Sequence, residues 1–179
     1  MTVDPLAPNL AIQKDPRAAR RELKVYVEGF KSARDTKRGE LAIGEAKTGV
    51  FNARTTLLAG VSPEQMVTGA IRDALVKAGF TLAESKNADY VIAGQVSNFW
   101  VEEYATGVSL EYAKAFVRFD ITLADANGKI LWGTTKEKYQ TSSQCMDATA
   151  KDIPMLTSAL TQTVTSLVDD QSFWLALSK

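Results

Sequence analysis

The sequence predicts an α+β fold in which an antiparallel sheet carries two main helices packed on one face. Three observations support this. From Ala88 to Gln140 the chain is nearly continuous β-type sequence, broken at Ala126-Asn127-Gly128, where Asn-Gly supplies the positive-φ positions of a tight hairpin. Met66, Val67, Ala70, Ile71, Ala74, Leu75 and Ala78 recur at helical spacing. So do Met155, Leu156, Ala159, Leu160, Val164, Leu167 and Val168. Two helices and a sheet, each with one apolar side, bury one another most simply as two layers.

In chain order, residues 1–20 contain Pro5, Pro8 and Pro16 and few large apolar groups, and read as a flexible arm or tether remnant. Residues 21–179 read as a single globular α+β domain. Glu22 to Phe30 alternates as a first strand, with Leu23, Val25 and Val27 on one side and Tyr26 on the other. The charged, glycine-punctuated stretch from Lys31 to Gly49 reads as a solvated loop, with a site for an acidic ligand as the alternative. Val50 to Leu58 is an edge strand or a ligand-facing loop.

Ser62-Pro63-Glu64-Gln65 places serine at a helix cap, proline at the first helical position and glutamine where its side chain can return to the cap. Gly79 closes that helix, and Phe80 and Leu82 re-enter the sheet. In the strand from Leu110 to Leu123, Val117, Phe119, Ile121 and Leu123 share one face. Arg118, Asp120 and Thr122 share the other with Phe116, whose apolar ring on a polar face extends packing or meets a partner. The returning strand runs from Lys129 to about Tyr139. A last long helix covers Ile153 to about Val168, and Asp169-Asp170 begins a turn. Phe173, Trp174 and Leu177 then fold back as a short helix or form a docking tail.

Composition narrows function. Basic and acidic residues balance at 21 each, so no overall field draws the chain to polyanions, and nucleic acid is disfavoured as a partner. There is no histidine and a single cysteine, Cys145. These exclude an intrachain disulfide, a usual structural zinc site and a histidine-activated nucleophile. Glu102 and Glu103 are neighbours in an extended strand and point to opposite faces, so they are not a ready acid/base pair. Carboxylates converging from separate elements remain the route to a cryptic carboxylate-dependent hydrolase. No catalytic, cofactor-binding or metal-binding residue is assigned. The candidate partner surface is Phe99, Trp100 and Tyr104, with Phe173 and Trp174 as a second patch, because aromatics beside polar loops concentrate binding contacts. The N-terminus lacks the basic end and apolar core of a secretory signal, and no apolar run is long enough to cross a bilayer.

Ser62-Pro63-Glu64 leading into Ala70–Phe80, the strand Ala88–Val96 and the hairpin Asp125–Trp132 together resemble Gram-negative envelope lipoproteins of the YajG-like kind, and auxiliary lipoproteins of transport systems. The resemblance runs from about Glu22 to Leu177. It implies a signal peptide and a lipidated cysteine in a precursor, with the proline-containing start as the remnant of the tether. Cys145, deep in the domain, does not correspond to that anchor. The resemblance also implies placement on the periplasmic face of the envelope, anchored to the outer membrane, while the absence of a chemical site supplies the noncatalytic leaning; together they give a binding or assembly module with an envelope protein or a lipid-associated partner and no cofactor. An adaptor that binds through its aromatic surface is the other alternative.

Overall fold

A computed structural model describes residues 2–3, 8, 10–13, 24–48, 53–106, 110–142 and 149–177. In order these form β1 (Thr2–Val3), β2 (Lys24–Val27), β3 (Lys31–Ser32), β4 (Ala42–Thr48), β5 (Ala53–Ala59) and α1 (Pro63–Ala78). There follow β6 (Thr81–Leu82), β7 (Tyr90–Thr106), β8 (Leu110–Asp125), β9 (Ile130–Thr141), α2 (Thr149–Val168) and α3 (Gln171–Ala176).

The described strands join in one nine-stranded mixed sheet built on β7, 17 residues long. On one flank β7 pairs antiparallel with β8, from Tyr90 opposite Asp125 to Thr106 opposite Leu110, and β9 pairs antiparallel with β8. On its other flank β7 is met by three parallel strands in succession: β2 at Tyr90, Val91 and Ile92, β3 at Gln95 and Val96, and β4 at Val101 and Glu102. β5 runs antiparallel to β4, while β1 and β6 add parallel edges.

The α+β class and the two long helices agree with the sequence prediction, but the sheet is mixed rather than purely antiparallel. The antiparallel part is the part joined by short turns. A parallel pair needs a crossover, and alternation along one strand carries no record of its neighbour's direction. The Lys31–Gly49 stretch is also corrected: it contains β3 and β4, and Ala42, Ile43 and Ala46 are buried. Its small residues and charges concealed a strand that packs one face into the core.

Helix α1 begins as its sequence dictates. Gln65 N donates to Ser62 Oγ at 3.2 Å, and Ser62 N donates to Gln65 Oε1 at 3.1 Å. Gly79, at φ 104°, takes the left-handed conformation that ends the helix. Met66, Val67, Ala70, Ile71, Ala74, Leu75 and Ala78 all lie buried against the sheet and α2. Phe173, Trp174 and Leu177 do fold back: Trp174 Nε1 donates to Val168 O at 2.7 Å, and its ring stacks on Phe80 at 5.3 Å. Tyr90 Oη donates to Leu177 O at 3.2 Å, tying this end to the start of β7.

On the helix-covered face, Gly94 leaves a gap that the Phe30 ring fills, and Phe30 meets Phe119 edge to face at 5.8 Å. A Cβ at residue 94 would overlap both Asp120 O and the Phe30 ring. Gly94→Ala is therefore expected to destabilise by about 1–3 kcal/mol through overpacking. Leu75→Ala, at a fully buried position, is expected to cost about 2–5 kcal/mol. Val76→Ala on the exposed side of the same helix should stay within about 0.5 kcal/mol. Denaturant unfolding of the three variants checks the assignment of faces.

Candidate functional site

A register irregularity in β7 decides which side chains reach the face opposite the helices. Pairing with β8 shifts between Val96 and Asn98, so Ser97 is an extra residue. Before it, Ile92 and Val96 point into the core; after it, Phe99, Val101 and Glu103 do. Trp100, Glu102 and Tyr104 consequently emerge on the outer face. Without the bulge, strict alternation from Ile92 would turn Trp100 inward.

The registers gather these residues into rows. Trp100 lies opposite Phe116, and Phe116 opposite Tyr139. The Phe116 and Tyr139 rings stack at 3.9 Å with an interplanar angle of 7°. Tyr104 pairs with Tyr112, their rings stacked at 5.2 Å, and Lys114 Nζ lies 5.1 and 5.4 Å from the two ring centroids. Arg38 sits over Trp100 at 5.2 Å. The outer face thus carries an aromatic row flanked by cations, a combination that binds through ring area and through charge. Tyr139 is 63 % exposed.

Of the sequence-predicted residues, Trp100 and Tyr104 share this face and Phe99 does not: it is buried beneath it. Phe173 and Trp174 are core residues, 0 % and 5 % exposed, and the second patch offers no area to a partner. Phe116, already the exception on its strand, belongs to the row. Tyr112, Lys114, Tyr139 and Arg38 were missed, because only cross-strand register brings them to Trp100. Cys145 lies outside the described residues.

Beside Trp100 a cavity of about 330 Å³ opens. Ser97, Asn98, Phe99 and Trp100 form one wall, and Arg34, Asp35, Lys37 and Arg38 form the other. Arg34 holds that second wall in place. Its Nε donates to Glu64 Oε1 at 2.8 Å, Nη1 to Ala42 O at 3.1 Å and Nη2 to Glu40 O at 2.9 Å. Burial pushes the Glu64 carboxyl up, but the hydrogen bonds from Arg34 and Ser32 outweigh it and leave the group below its usual range. Arg38 Nη1 reaches Glu45 Oε1 at 2.8 Å, and Arg54 Nη1 reaches the same carboxylate at 3.0 Å.

Carboxylates from separate elements do converge, on the inner side. Glu103 of β7 and Asp152 in the first turn of α2 are 2 % and 0 % exposed. Burial first, then the charge of Glu103 and a hydrogen bond shared with it, push the Asp152 pKa up to about 7. With both groups ionised neither Asp152 oxygen meets a donor; a proton held between the acids provides one. A hydrolytic acid must touch its substrate, and this closed pair gives a substrate no access. Among the described residues no group of three or more His, Cys, Asp or Glu gathers to hold a metal, and no helix is long and apolar enough to cross a membrane.

No family model and no curated protein sequence matches the chain. Solved structures do. A Xanthomonas campestris protein of the DUF330 family superposes with a TM-score of 0.69 at 17% identity, over 99% of this chain and 95% of that one. The chain has the fold of that protein. A minor lipoprotein from Acinetobacter baumannii superposes with a TM-score of 0.50 at 9% identity, over 84% of this chain and 93% of that one. The expected resemblance to lipoproteins is therefore present at the level of fold.

The buried acids make a signed prediction. Folded protein keeps the Asp152 proton up to about pH 7, whereas an unfolded aspartate releases it near 3.8. This group's contribution is complete below 3.8 and falls as pH rises towards 7, by about 1.4 kcal/mol per pH unit. Asp170 works oppositely: hydrogen bonds from Lys136 and Ser172 hold it down to about 2, so its contribution is present above 3.8 and lost as pH falls towards 2. Asp152→Asn provides an uncharged donor to Glu103 and should remove the decline towards neutrality. Thermal unfolding of both proteins from about pH 4 to 8 measures it, and parallel profiles would refute the assignment.

Proposed function

We propose that this chain is a noncatalytic binding or assembly module on the periplasmic face of a Gram-negative envelope, held at the outer membrane by a lipid anchor in its precursor. The observation that carries this reading is the outer row of Trp100, Phe116 and Tyr139 with Arg38 and Lys114 beside it. The apolar faces of the helices are used up in the core, whereas this row is left uncovered by them. The fold shared with a minor lipoprotein supports the envelope setting. Ring area beside Lys114 and Arg38 fits an envelope protein that presents apolar side chains next to carboxylates.

Tyr139→Ala and Lys114→Glu test the row, since both side chains are exposed and neither belongs to the core. Tyr139→Ala loses the stacking on Phe116, and Lys114→Glu sets a second carboxylate opposite Glu102, so each variant is expected to be destabilised by about 0.5–1.5 kcal/mol and to remain folded. Each should lose cross-links formed in native envelopes by a photoreactive residue placed at position 112, with binding weakened about tenfold or more. Folded variants that keep the parent's full set of cross-links would overturn this function.

A further inference from the structure

The cavity beside Trp100 owes its existence to a missing strand. On the flank away from β8, β3 pairs with β7 as far as Val96, and β4 resumes at Val101. No described strand runs beside Ser97 to Trp100, a stretch roughly 13 Å long. The chain spans this interval by leaving the sheet on the loop that carries Arg34 to Arg38, and the cavity is the space between loop and strand. Backbone N–H and C=O groups along a strand flank demand partners, and elsewhere on this flank β2, β3 and β4 supply them. At residues 97–100, where β8 takes about half of these groups on the other flank, no strand pairing is formed on this one among the described residues. Asn98, in the same wall, has a buried Oδ1 with no hydrogen-bond partner.

The opposite wall is cationic, lining the cavity with Arg34, Lys37 and Arg38 against the single carboxylate of Asp35. Arg34 is committed to Glu64 and two carbonyls, and serves as scaffold. The Lys37 side chain is 88% exposed and its ammonium is 3.7 Å from the 70% exposed Asp35, whose other oxygen accepts from Lys37 N at 3.0 Å; an exposed ion pair of this kind is weak and leaves the ammonium available to another acid. Arg38 shares the Glu45 carboxylate with Arg54, so Glu45 keeps a cation when Arg38 turns to another acid.

We propose that this gap binds the carboxylate end of an extended polypeptide, whose backbone completes the missing strand beside Ser97–Trp100 while its terminal carboxylate meets Lys37 and Arg38. Strand addition accounts for the open backbone and the cations account for the terminus. About 330 Å³ is at the lower end of ligand-site volumes and holds a few residues, not a folded domain. Trp100 belongs both to the cavity wall and to the aromatic row, so a chain leaving the cavity passes directly onto that row. The proposal rests on the binding-module reading and specifies what one part of that surface takes.

The test uses the whole chain and three probes: a panel of N-acetylated tripeptides with free C-termini, the same peptides as C-terminal amides, and acetate alone. Amide chemical shifts of residues 97–100 and the Trp100 indole report occupancy. At least one free acid is expected to move these signals and to bind about tenfold more tightly than its amide. Lys37→Ala and Arg38→Gln should each weaken it about tenfold, while Lys129→Ala, an equal loss of charge on the remote hairpin, should not. Equal binding of acid and amide would remove the role of the carboxylate; acetate matching the best peptide would show an anion site without strand addition. Either result, or silence at residues 97–100 across the panel, overturns the proposal. Failure here with cross-links still lost in Tyr139→Ala leaves the binding module standing and removes only the cavity's occupant.

Discussion

Pairing of β7 on both flanks is the constraint on which the rest of this structure depends. β8 satisfies one flank along its length, and β2, β3 and β4 share the other in parallel succession. A strand enclosed in this way must bury one face continuously, and β7 does so from Ile92 to Glu103 against α1 and α2. Each of the three parallel contacts is short, three register pairs for β2 and two each for β3 and β4. Their order is imposed by the long strand, which gives each a fixed place.

That arrangement separates stability from recognition. Helices α1, α2 and α3 cover one sheet face, and the terminal α3 seals it with Phe173 and Trp174 over Phe80. Lys136 and Asp170 pin the turn before α3 at 2.6 Å. The other face is spared this duty. Its aromatics stack across strands, where neighbouring rings stabilise the sheet and still present their outer edges. Substitutions there alter surface chemistry while leaving the packed layer intact.

The Glu103–Asp152 pair is an exception to the apolar character of that layer. Burying two acids is costly unless they share a proton, and the arrangement ties the start of α2 to the end of β7 through a group that titrates near neutrality. Neighbouring Glu102 escapes this by pointing outward, where it accepts from Trp100 Nε1 at 3.4 Å. Adjacent carboxylates in one strand thus live in opposite environments, as period-two alternation requires.

The sequence by itself determined the local elements whose chemistry is contiguous. The capping box and Gly79 bracket α1, Asn127-Gly128 closes the β8–β9 hairpin, and the alternation of Phe116 to Leu123 separates core from outer face. In each case the interacting residues lie within a few positions of one another, so spacing alone records the contact. Tertiary structure decided the parallel pairings, the strands hidden in the Lys31–Gly49 stretch, the inward turn of Phe99 and the meeting of Glu103 with Asp152. It also assembled Arg38, Trp100, Phe116 and Tyr139, which come from four segments, into one surface. The physical reason is that register and strand direction are settled by which neighbour best completes a shared core, and a single inserted residue such as Ser97 exchanges the two faces without leaving a mark in composition.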